Sequence, residues 1–200
     1  MPRTSDARDR IVSTAARLFL QRSYHDVGVE ELCTAADVRK GSFYHYFSSK
    51  ADLAKAVVDL HMRVFETRLA GAQCTTPAER LLAIPDAIGD IQSALHTQFG
   101  RFVGCPFGNL AAELSTTDED VRTYLAERLA GLENGLAQVC RDAADANVLR
   151  DEVDPDRLAH ALLAHYQGLI LLAKLHGSTA SDLAPALHEF LDGHLVRGIR

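Results

Sequence analysis

Several signatures of common protein classes are missing from this sequence of 200 residues. Its four cysteines, Cys33, Cys74, Cys105 and Cys140, lie far apart, and none has the C-x-x-C spacing of a zinc ribbon or a thioredoxin-type site. No two histidines are four residues apart, so the sequence contains no helical pair of metal ligands. We therefore expect neither a metal site nor a cofactor.

Signals for secretion and membrane insertion are also missing. The N-terminal residues form no uninterrupted apolar core and have no small-residue cleavage site. The longest apolar stretch, residues 158–175, is interrupted by His160, His165, Gln167 and Lys174 and falls short of the roughly 20 residues that span a bilayer. We expect a cytoplasmic protein with reduced thiols and no membrane partner.

Sequence signals for β-strands are sparse as well, and the apolar spacing and helix breakers that are present predict helices. Val, Ile and Thr are few, no hairpin dipeptide separates alternating runs, and the helix breakers fall where helices would end. The pattern predicts an all-α fold of about nine helices. The expected spans are a first helix after Thr4 or Ser5, then 29–36, 40–47, 50–72, Pro77 towards Phe102, 109–115, 116–146, 153–177 and 181–199.

Local caps mark several of these boundaries. Thr76 precedes Pro77 and Asp154 precedes Pro155, which places a capping side chain before a proline at the first helical position. Gly177 is expected to end the helix that begins at Pro155. Pro85, inside the fifth helix, predicts a kink.

Charge divides the chain unevenly. Residues 1–50 carry eight basic and six acidic side chains, whereas the other 150 carry 13 and 21, for a net charge of −6. A mildly basic head on an acidic body suits a small nucleic-acid-binding unit joined to a body with another role. We therefore expect a nucleic-acid-binding unit at 1–50 and a body with another role at 51–200.

The second and third predicted helices, joined by a tight turn, form a helix-turn-helix. Leu32, Ala35, Val38 and Phe43 would face inward and fix the angle between the two helices.

The outward side of the third helix is polar and small, which suits entry into a major groove. Lys40 and Gly41 lie at its leading end, and Lys50 follows it. The alternative is that the sequence FYHYF forms an aromatic core patch of a helical bundle. The predicted DNA-binding residues are Arg39, Lys40, Gly41, Ser42, Tyr44, His45 and Lys50.

Residues 27–59 resemble the DNA-binding region of the TetR family of transcriptional repressors. The matching positions are Val38, Lys40, Gly41, Phe43, Tyr44, Tyr46, Phe47, Lys50 and Leu53. Three positions differ from the family pattern. Asp37 replaces the usual glycine of the turn, Arg39 replaces a Ser/Thr cap, and Gly28 would cap the second helix.

The resemblance implies a homodimer that binds a palindromic operator and leaves it when a small effector binds the body. It also implies a DNA-binding domain at 1–50 and an effector-binding and dimerisation domain at 51–200. The last two helices of each subunit would form the dimer interface. Its expected residues are Leu163, Gln167, Gly168, Leu171, Leu191, His194 and Leu195.

Cys105 lies between Gly104 and Pro106. Because Pro106 suits the first position of a helix, Cys105 is the expected N-cap, where the helix dipole lowers a thiol pKa. Lys174, in an apolar helix, would lower that pKa further if it paired with Cys105. The alternatives are a small packing residue or a pocket wall for Cys105, and a lysine at the helix surface for Lys174.

Cys105, Asn109, Glu113 and Lys174 match a pattern found in one subgroup of TetR-like regulators. That subgroup includes repressors that sense electrophiles or reactive chlorine through the cysteine, and others that respond to acrylate by binding small ligands. Expected pocket walls are Ile84, Ile88, Ile91, Phe102, Phe107, Leu110, Tyr124 and Tyr166.

The functional hypothesis is a DNA-binding repressor that a small effector releases from its operator, either through modification of Cys105 or through non-covalent binding. A thiol enzyme would need a base and an oxyanion site near Cys105, and no local pattern supplies them. A helical scaffold would not need the polar surface of the third helix. We therefore expect no enzymatic activity.

Overall fold

The structure, a computed structural model, describes residues 4–71 and 73–199. Nine α-helices and one short 3-10 helix form the regular structure of these residues, which confirms the all-α prediction. The helices are α1 (Thr4–Gln21), α2 (Val29–Ala35), α3 (Lys40–Tyr46), α4 (Lys50–Gly71), α5 (Pro77–Phe99), α6 (Pro106–Leu114), α7 (Glu119–Asp145), α8 (Pro155–His176) and α9 (Leu183–Asp192), with the 3-10 helix at Ala180–Asp182.

Helices α5 and α8 start at the caps that the sequence predicts. The Thr76 hydroxyl accepts a hydrogen bond from the Glu79 N–H, and the Glu79 carboxylate accepts one from the Thr76 N–H, which completes a capping box. At the start of α8, the Asp154 carboxylate accepts hydrogen bonds from the N–H groups of Asp156 and Arg157. Gly177 ends α8 with a φ of +63°. Helix α5 passes through Pro85 and ends at Phe99, three residues before the expected Phe102.

The prediction for the last helix is wrong beyond Asp192. Helix α9 ends there, and residues 193–199 contain turns and an isolated antiparallel bridge between Leu195 and Leu149. The Arg150 N–H donates to the His194 carbonyl at 3.0 Å. Leu195 is buried, and removal of its side chain from water stabilises this non-helical end of the chain.

The described residues divide into two compact units. The first comprises the described part of Met1–Val64 together with Pro106–Glu127. Its fully buried side chains include Ile11, Leu32 and Phe43, as the apolar spacing predicts. The prediction that Ala35 faces inward is wrong. Ala35 is exposed, and the neighbouring Ala36 is buried instead.

The second unit comprises Phe65–Cys105 together with the described part of Arg128–Arg200. Helices α5, α8 and α9 pack together in it. The approach of α5 to α9 is close, because a Cβ added at Gly89 would lie 3.0 Å from the Ala184 Cβ. The domain boundary expected at residue 50 stays a prediction.

Candidate functional site

Helices α2 and α3 are joined by a tight turn, as the helix-turn-helix pattern predicts. Asp37 adopts the left-handed conformation, with a φ of +51°, where the family pattern has glycine. A short polar side chain tolerates this conformation better than most. Arg10 of α1 donates a hydrogen bond to the Asp37 carbonyl at 3.2 Å and so holds the turn.

The aromatic sequence FYHYF divides between core and surface. Phe43 and Phe47 are buried, so the expectation of a core patch holds for these two rings. Tyr44 and His45 are exposed on the opposite side of α3. Arg39, Lys40 and Gly41 are also exposed, and Ser42 and Lys50 are partly exposed, so all seven predicted DNA-binding residues are at least partly accessible.

Gly41 has no packing role within the protein. A Cβ at this position would meet no atom within 4 Å, although glycine inside a helix costs about 1 kcal/mol relative to alanine. The missing side chain leaves space outside the protein, at the leading end of α3.

Lys40 and Lys50 have different surroundings. Lys40 pairs with Glu30 at 2.9 Å, and this hydrogen bond raises the pKa of Lys40 and lowers that of Glu30. The Lys50 ammonium instead donates to the carbonyls of Tyr24 and Val27, at 3.0 and 3.1 Å, and lies 4.2 Å from the centre of the Tyr24 ring. Lys50 therefore stabilises the loop between α1 and α2, and burial lowers its pKa.

Glu113, near the end of α6, contacts the same loop. The Ser23 hydroxyl donates to Glu113 Oε2 at 2.6 Å, and the His25 N–H donates to the same oxygen at 3.3 Å. Burial raises the pKa of Tyr24, between these two residues, to about 12, with smaller contributions from Asp118 and Glu113. One carboxylate thus ties α6 to the residues that precede α2.

Cys105 directly precedes α6, as expected, and it is only 3% exposed. Gly104 before it has a φ of +90°, a conformation that side chains disfavour, so glycine is needed at the entry to the helix. The Gln167 amide of α8 donates to Cys105 Sγ at 3.3 Å. Lys174 lies on α8 two turns beyond Gln167 and is exposed.

The other cysteines differ in their environment. Burial raises the pKa of Cys140 to about 11, and it also raises the pKa of Cys33. A raised pKa leaves little thiolate, which is the reactive form. Cys74 is partly exposed, and all four cysteines are free thiols.

The expected pocket residues lie in two different groups. Phe102 and Tyr166 are buried in the second unit, as Cys105 is. Phe107, Asn109 and Tyr124 belong to the first unit. Phe107 is buried there, Asn109 is partly buried, and the Tyr124 hydroxyl donates to Asp59 at 2.7 Å.

Two family models match the chain in the regions where the structure has these features. Residues 11–57 match the model for bacterial regulatory proteins of the tetR family, and residues 77–184 match the tetracyclin repressor-like C-terminal domain. The chain belongs to the TetR family. It is a DNA-binding transcriptional regulator with the all-α fold of that family.

Curated TetR-family relatives match along most of the chain. The transcriptional regulator AcuR of Cereibacter sphaeroides is 33% identical over 94% of this chain and 84% of its own length. The repressor NemR of Escherichia coli K12 is 30% identical over 86% of each chain. Relatives of this kind are regulators rather than enzymes.

Solved structures agree with the fold. The regulatory protein TetR from Rhodobacter sphaeroides is 30% identical, with a TM-score of 0.80 over 95% of this chain and 99% of its own. The reduced form of Escherichia coli NemR is 27% identical, with a TM-score of 0.79 over 95% and 97%.

The expected TetR-type dimer residues differ in exposure. Leu171 is 58% exposed, Gly168 is exposed, and Leu163, Gln167 and His194 are partly exposed. Leu191 and Leu195 are buried within the protomer, where they pack in its core rather than offering surface.

Two residues with unsatisfied polar atoms escaped the sequence analysis. Gln92 of α5 is 1% exposed and its Nε2 has no hydrogen-bond partner. His61 of α4 also has a buried Nε2 without a partner. Gln92 falls four residues after Ile88 on the inner face of α5, so the helical spacing could have identified it. Among the described residues, no cluster of three or more His, Cys, Asp or Glu side chains could hold a metal ion.

Proposed function

We propose that this regulator is a repressor that binds a palindromic operator as a homodimer and leaves it when a small effector binds. The accessible surface of α3 carries this proposal. It combines exposed cations, an exposed tyrosine and a glycine that the protein itself does not need for packing. A base edge or a phosphate would occupy the space left at Gly41. Arg39, Lys40, Ser42, Tyr44 and His45 are the proposed contact residues.

Lys50 has a different proposed role in the same interface. Two of its three N–H donors already bind the carbonyls of Tyr24 and Val27. It therefore positions the loop before α2, and one donor remains for a phosphate.

Dimerisation through α8 and α9 is supported by the exposed apolar residues of α8. Leu171 and Leu175 are 58% and 71% exposed and one turn apart, and Gly168 lies one turn before Leu171. A Cβ at Gly168 would meet no atom of the protomer within 4 Å, so its absence would serve close approach by a second copy. Among the described helices, α8 alone is long and apolar enough to span a membrane, and a subunit interface accounts for the same composition.

Two modes of effector sensing follow from the surroundings of Cys105. In the covalent mode, hypochlorous acid oxidises the Cys105 thiol to a sulfenic acid and is itself reduced to chloride. The comparison with the reduced form of NemR supports this mode. In the non-covalent mode Cys105 is a pocket wall, which its burial and its hydrogen bond with Gln167 favour. The proposed effector residues of the second compact unit are Cys105, Phe102, Tyr166 and Lys174.

We further infer that the protein acts in the cytoplasm, where its DNA target lies, and that it has no enzymatic activity. The domain division at residue 50 remains part of this proposal, with DNA binding before it and effector binding and dimerisation after it.

Operator release is the decisive experiment. Fluorescence anisotropy would follow the wild-type protein on DNA from upstream of its own gene, first alone, then with hypochlorite, then with dithiothreitol. Cys105→Ser is the test variant and Cys74→Ser is the matched control, because Cys74 is partly exposed and lies outside α3.

Three outcomes separate the alternatives. Reversible release by wild type and Cys74→Ser, but not by Cys105→Ser, would establish the covalent mode. Release of all three proteins or of none would exclude it and leave non-covalent sensing. A wild-type protein that shows no salt-dependent preference for the palindrome would contradict the proposed function itself.

A further inference from the structure

Seven lysine and arginine side chains lie between residues 4 and 50, the region that contains the helix-turn-helix. Six of them interact with other groups of the protein. These are Arg8 with Asp9 and the Phe47 ring, Arg10 with Asp37, Arg17 with Gln21, Arg22 with Glu31, Lys40 with Glu30, and Lys50 with the carbonyls of Tyr24 and Val27. The seventh, Arg39, is exposed, and its guanidinium has no partner in the described part of the chain. All five of its N–H donors are therefore available to another molecule.

Arg39 occupies the N-cap of α3, a position where serine or threonine would stabilise the helix. Its backbone is extended, with a φ of −78° and a ψ of 150°, and its side chain makes no capping hydrogen bond. The guanidinium has no acceptor atom, so it cannot make that bond. An unfavourable local choice that the protein does not compensate is typical of a functional position.

We propose that Arg39 recognises a guanine in each half of the palindromic operator and so determines which sequence the regulator binds. Two N–H groups of its guanidinium donate to O6 and N7 of that guanine in the major groove. This inference rests on the proposed function, because it assigns a base to one of the residues that contact the operator.

Guanine is the base whose major-groove edge matches the Arg39 side chain. It presents two adjacent acceptors there, O6 and N7, whereas adenine presents one acceptor and one donor, cytosine a donor, and thymine one acceptor beside a methyl group. The planar guanidinium presents two N–H groups in a fixed fork that fits two acceptors. Guanine alone satisfies both donors, so Arg39 would distinguish it from the other three bases.

The adjacent Lys40 has the chemistry for a different role. Its ammonium is a compact point charge without a preferred plane, and it pairs with Glu30 at 2.9 Å. Such a group suits a phosphate, which positions the protein without distinguishing between bases. A recognition helix instead places its first residues against the base edges. The absence of a side chain at Gly41, where a Cβ would meet no atom within 4 Å, leaves room for Arg39 to approach them.

The experiment first identifies the preferred half-site and then changes single atoms of its guanines. Selection from a library of random duplexes with the full-length wild-type protein gives the half-site. Each guanine is then replaced in turn by 7-deazaguanine, which lacks the N7 acceptor, or by inosine, which keeps N7 and O6 and lacks only the minor-groove amino group. Fluorescence anisotropy gives the Kd of each duplex, at low salt so that phosphate contacts keep weakened variants on DNA.

Three variants are compared with wild type. Arg39→Met keeps an unbranched side chain without the donor fork, and Arg39→Ser supplies a capping side chain. Lys40→Met is the matched control, because it removes one positive charge from the adjacent residue.

At one guanine of the half-site, 7-deazaguanine is expected to weaken wild-type binding about tenfold, whereas inosine should leave it unchanged. The same 7-deazaguanine should not affect either Arg39 variant, and it should still weaken Lys40→Met about tenfold. Arg39→Ser should also raise the Tm of the free protein by about 2–4 °C, because serine caps α3. A purely structural role for Arg39 would give the opposite sign.

Insensitivity of both Arg39 variants at a guanine that matters to wild type and to Lys40→Met would support the proposal. It would be overturned by a half-site without guanine, by a wild type that tolerates 7-deazaguanine at every position, or by Arg39 variants that keep the wild-type sensitivity. A Tm that falls in both Arg39 variants would assign Arg39 to folding and would also overturn it.

The same data keep this proposal apart from the proposed function. A wild-type protein that selects no sequence from the library would contradict the proposed function itself. A clear half-site whose guanine preference survives in the Arg39 variants would concern Arg39 alone.

Discussion

Glu113 Oε2 accepts a hydrogen bond from the hydroxyl of Ser23 at 2.6 Å, although 90 residues separate them in the chain. The same oxygen accepts from the His25 N–H. These bonds connect α6, which begins directly after Cys105, with the loop that leads into the helix-turn-helix. Glu113 therefore links α6 directly to the loop that precedes the helix-turn-helix.

Substitution of Glu113 or Ser23 by alanine should lower the stability of the first compact unit. Glu113→Ala leaves the partly buried Ser23 hydroxyl and His25 N–H without an acceptor, so we expect a loss of about 1–3 kcal/mol in the free energy of unfolding. Urea denaturation measures it, and Ser23→Ala with the double variant completes a cycle. A coupling below about 0.5 kcal/mol would mean that the two side chains act independently.

Lys40 should contribute to operator affinity by neutralising a phosphate. Lys40→Ala is expected to lower the slope of log Kd against log salt concentration by about 0.9 for each phosphate that is no longer neutralised, or about 1.8 for a dimer. Glu30→Gln should instead tighten binding, because it releases Lys40 from its partner. Arg122→Ala, at an exposed cation on α7 that pairs with Glu119, is the control. Equal slopes for Lys40→Ala and the control would show that Lys40 does not neutralise a DNA phosphate.

His61 should make the stability depend on pH. It borders a cavity of about 10 Å³, room for one water, that is otherwise lined mostly by apolar side chains. Burial lowers its pKa from 6.5 to about 4. Since the unfolded chain binds the proton more tightly than the folded protein does, stability should be full above pH 6.5 and fall as the pH drops towards 4, by up to about 3 kcal/mol.

Urea denaturation between pH 4 and 8 measures this loss. His61→Leu should remove the greater part of it, whereas His45→Gln, at an exposed histidine of α3, should leave it unchanged. The same loss in the His61 variant would show that other groups cause the pH dependence.

Leu171 and Leu175 should hold the dimer together. A glutamate at either position would place a charge in an apolar interface, so Leu171→Glu and Leu175→Glu are expected to shift the protein to monomers in sedimentation velocity and to weaken operator binding. Val64→Glu, at an exposed apolar residue of α4, controls for the added charge. A dimer that survives both α8 variants would place the interface elsewhere.

Much of the fold could be predicted because its determinants are local. The cap at Thr76, the proline at the start of α8 and the glycine after its end act on backbone groups within one helical turn. The predicted helix at residues 193–199 is wrong because the structure there depends on a contact with a distant part of the chain. Residues 193–199 fit a helical pattern, but Leu195 pairs with Leu149, 46 positions earlier, and no local pattern contains that pairing.

The sequence by itself determined the helices, their caps, the helix-turn-helix and the polar face of α3, because each depends on spacings of one to four residues. The tertiary structure decided which side chains face solvent and which meet across the fold. It directed Lys50 towards two loop carbonyls, buried Cys105 against Gln167 and joined Glu113 to Ser23. These contacts form between distant parts of the chain when apolar faces pack, so their geometry depends on the whole fold.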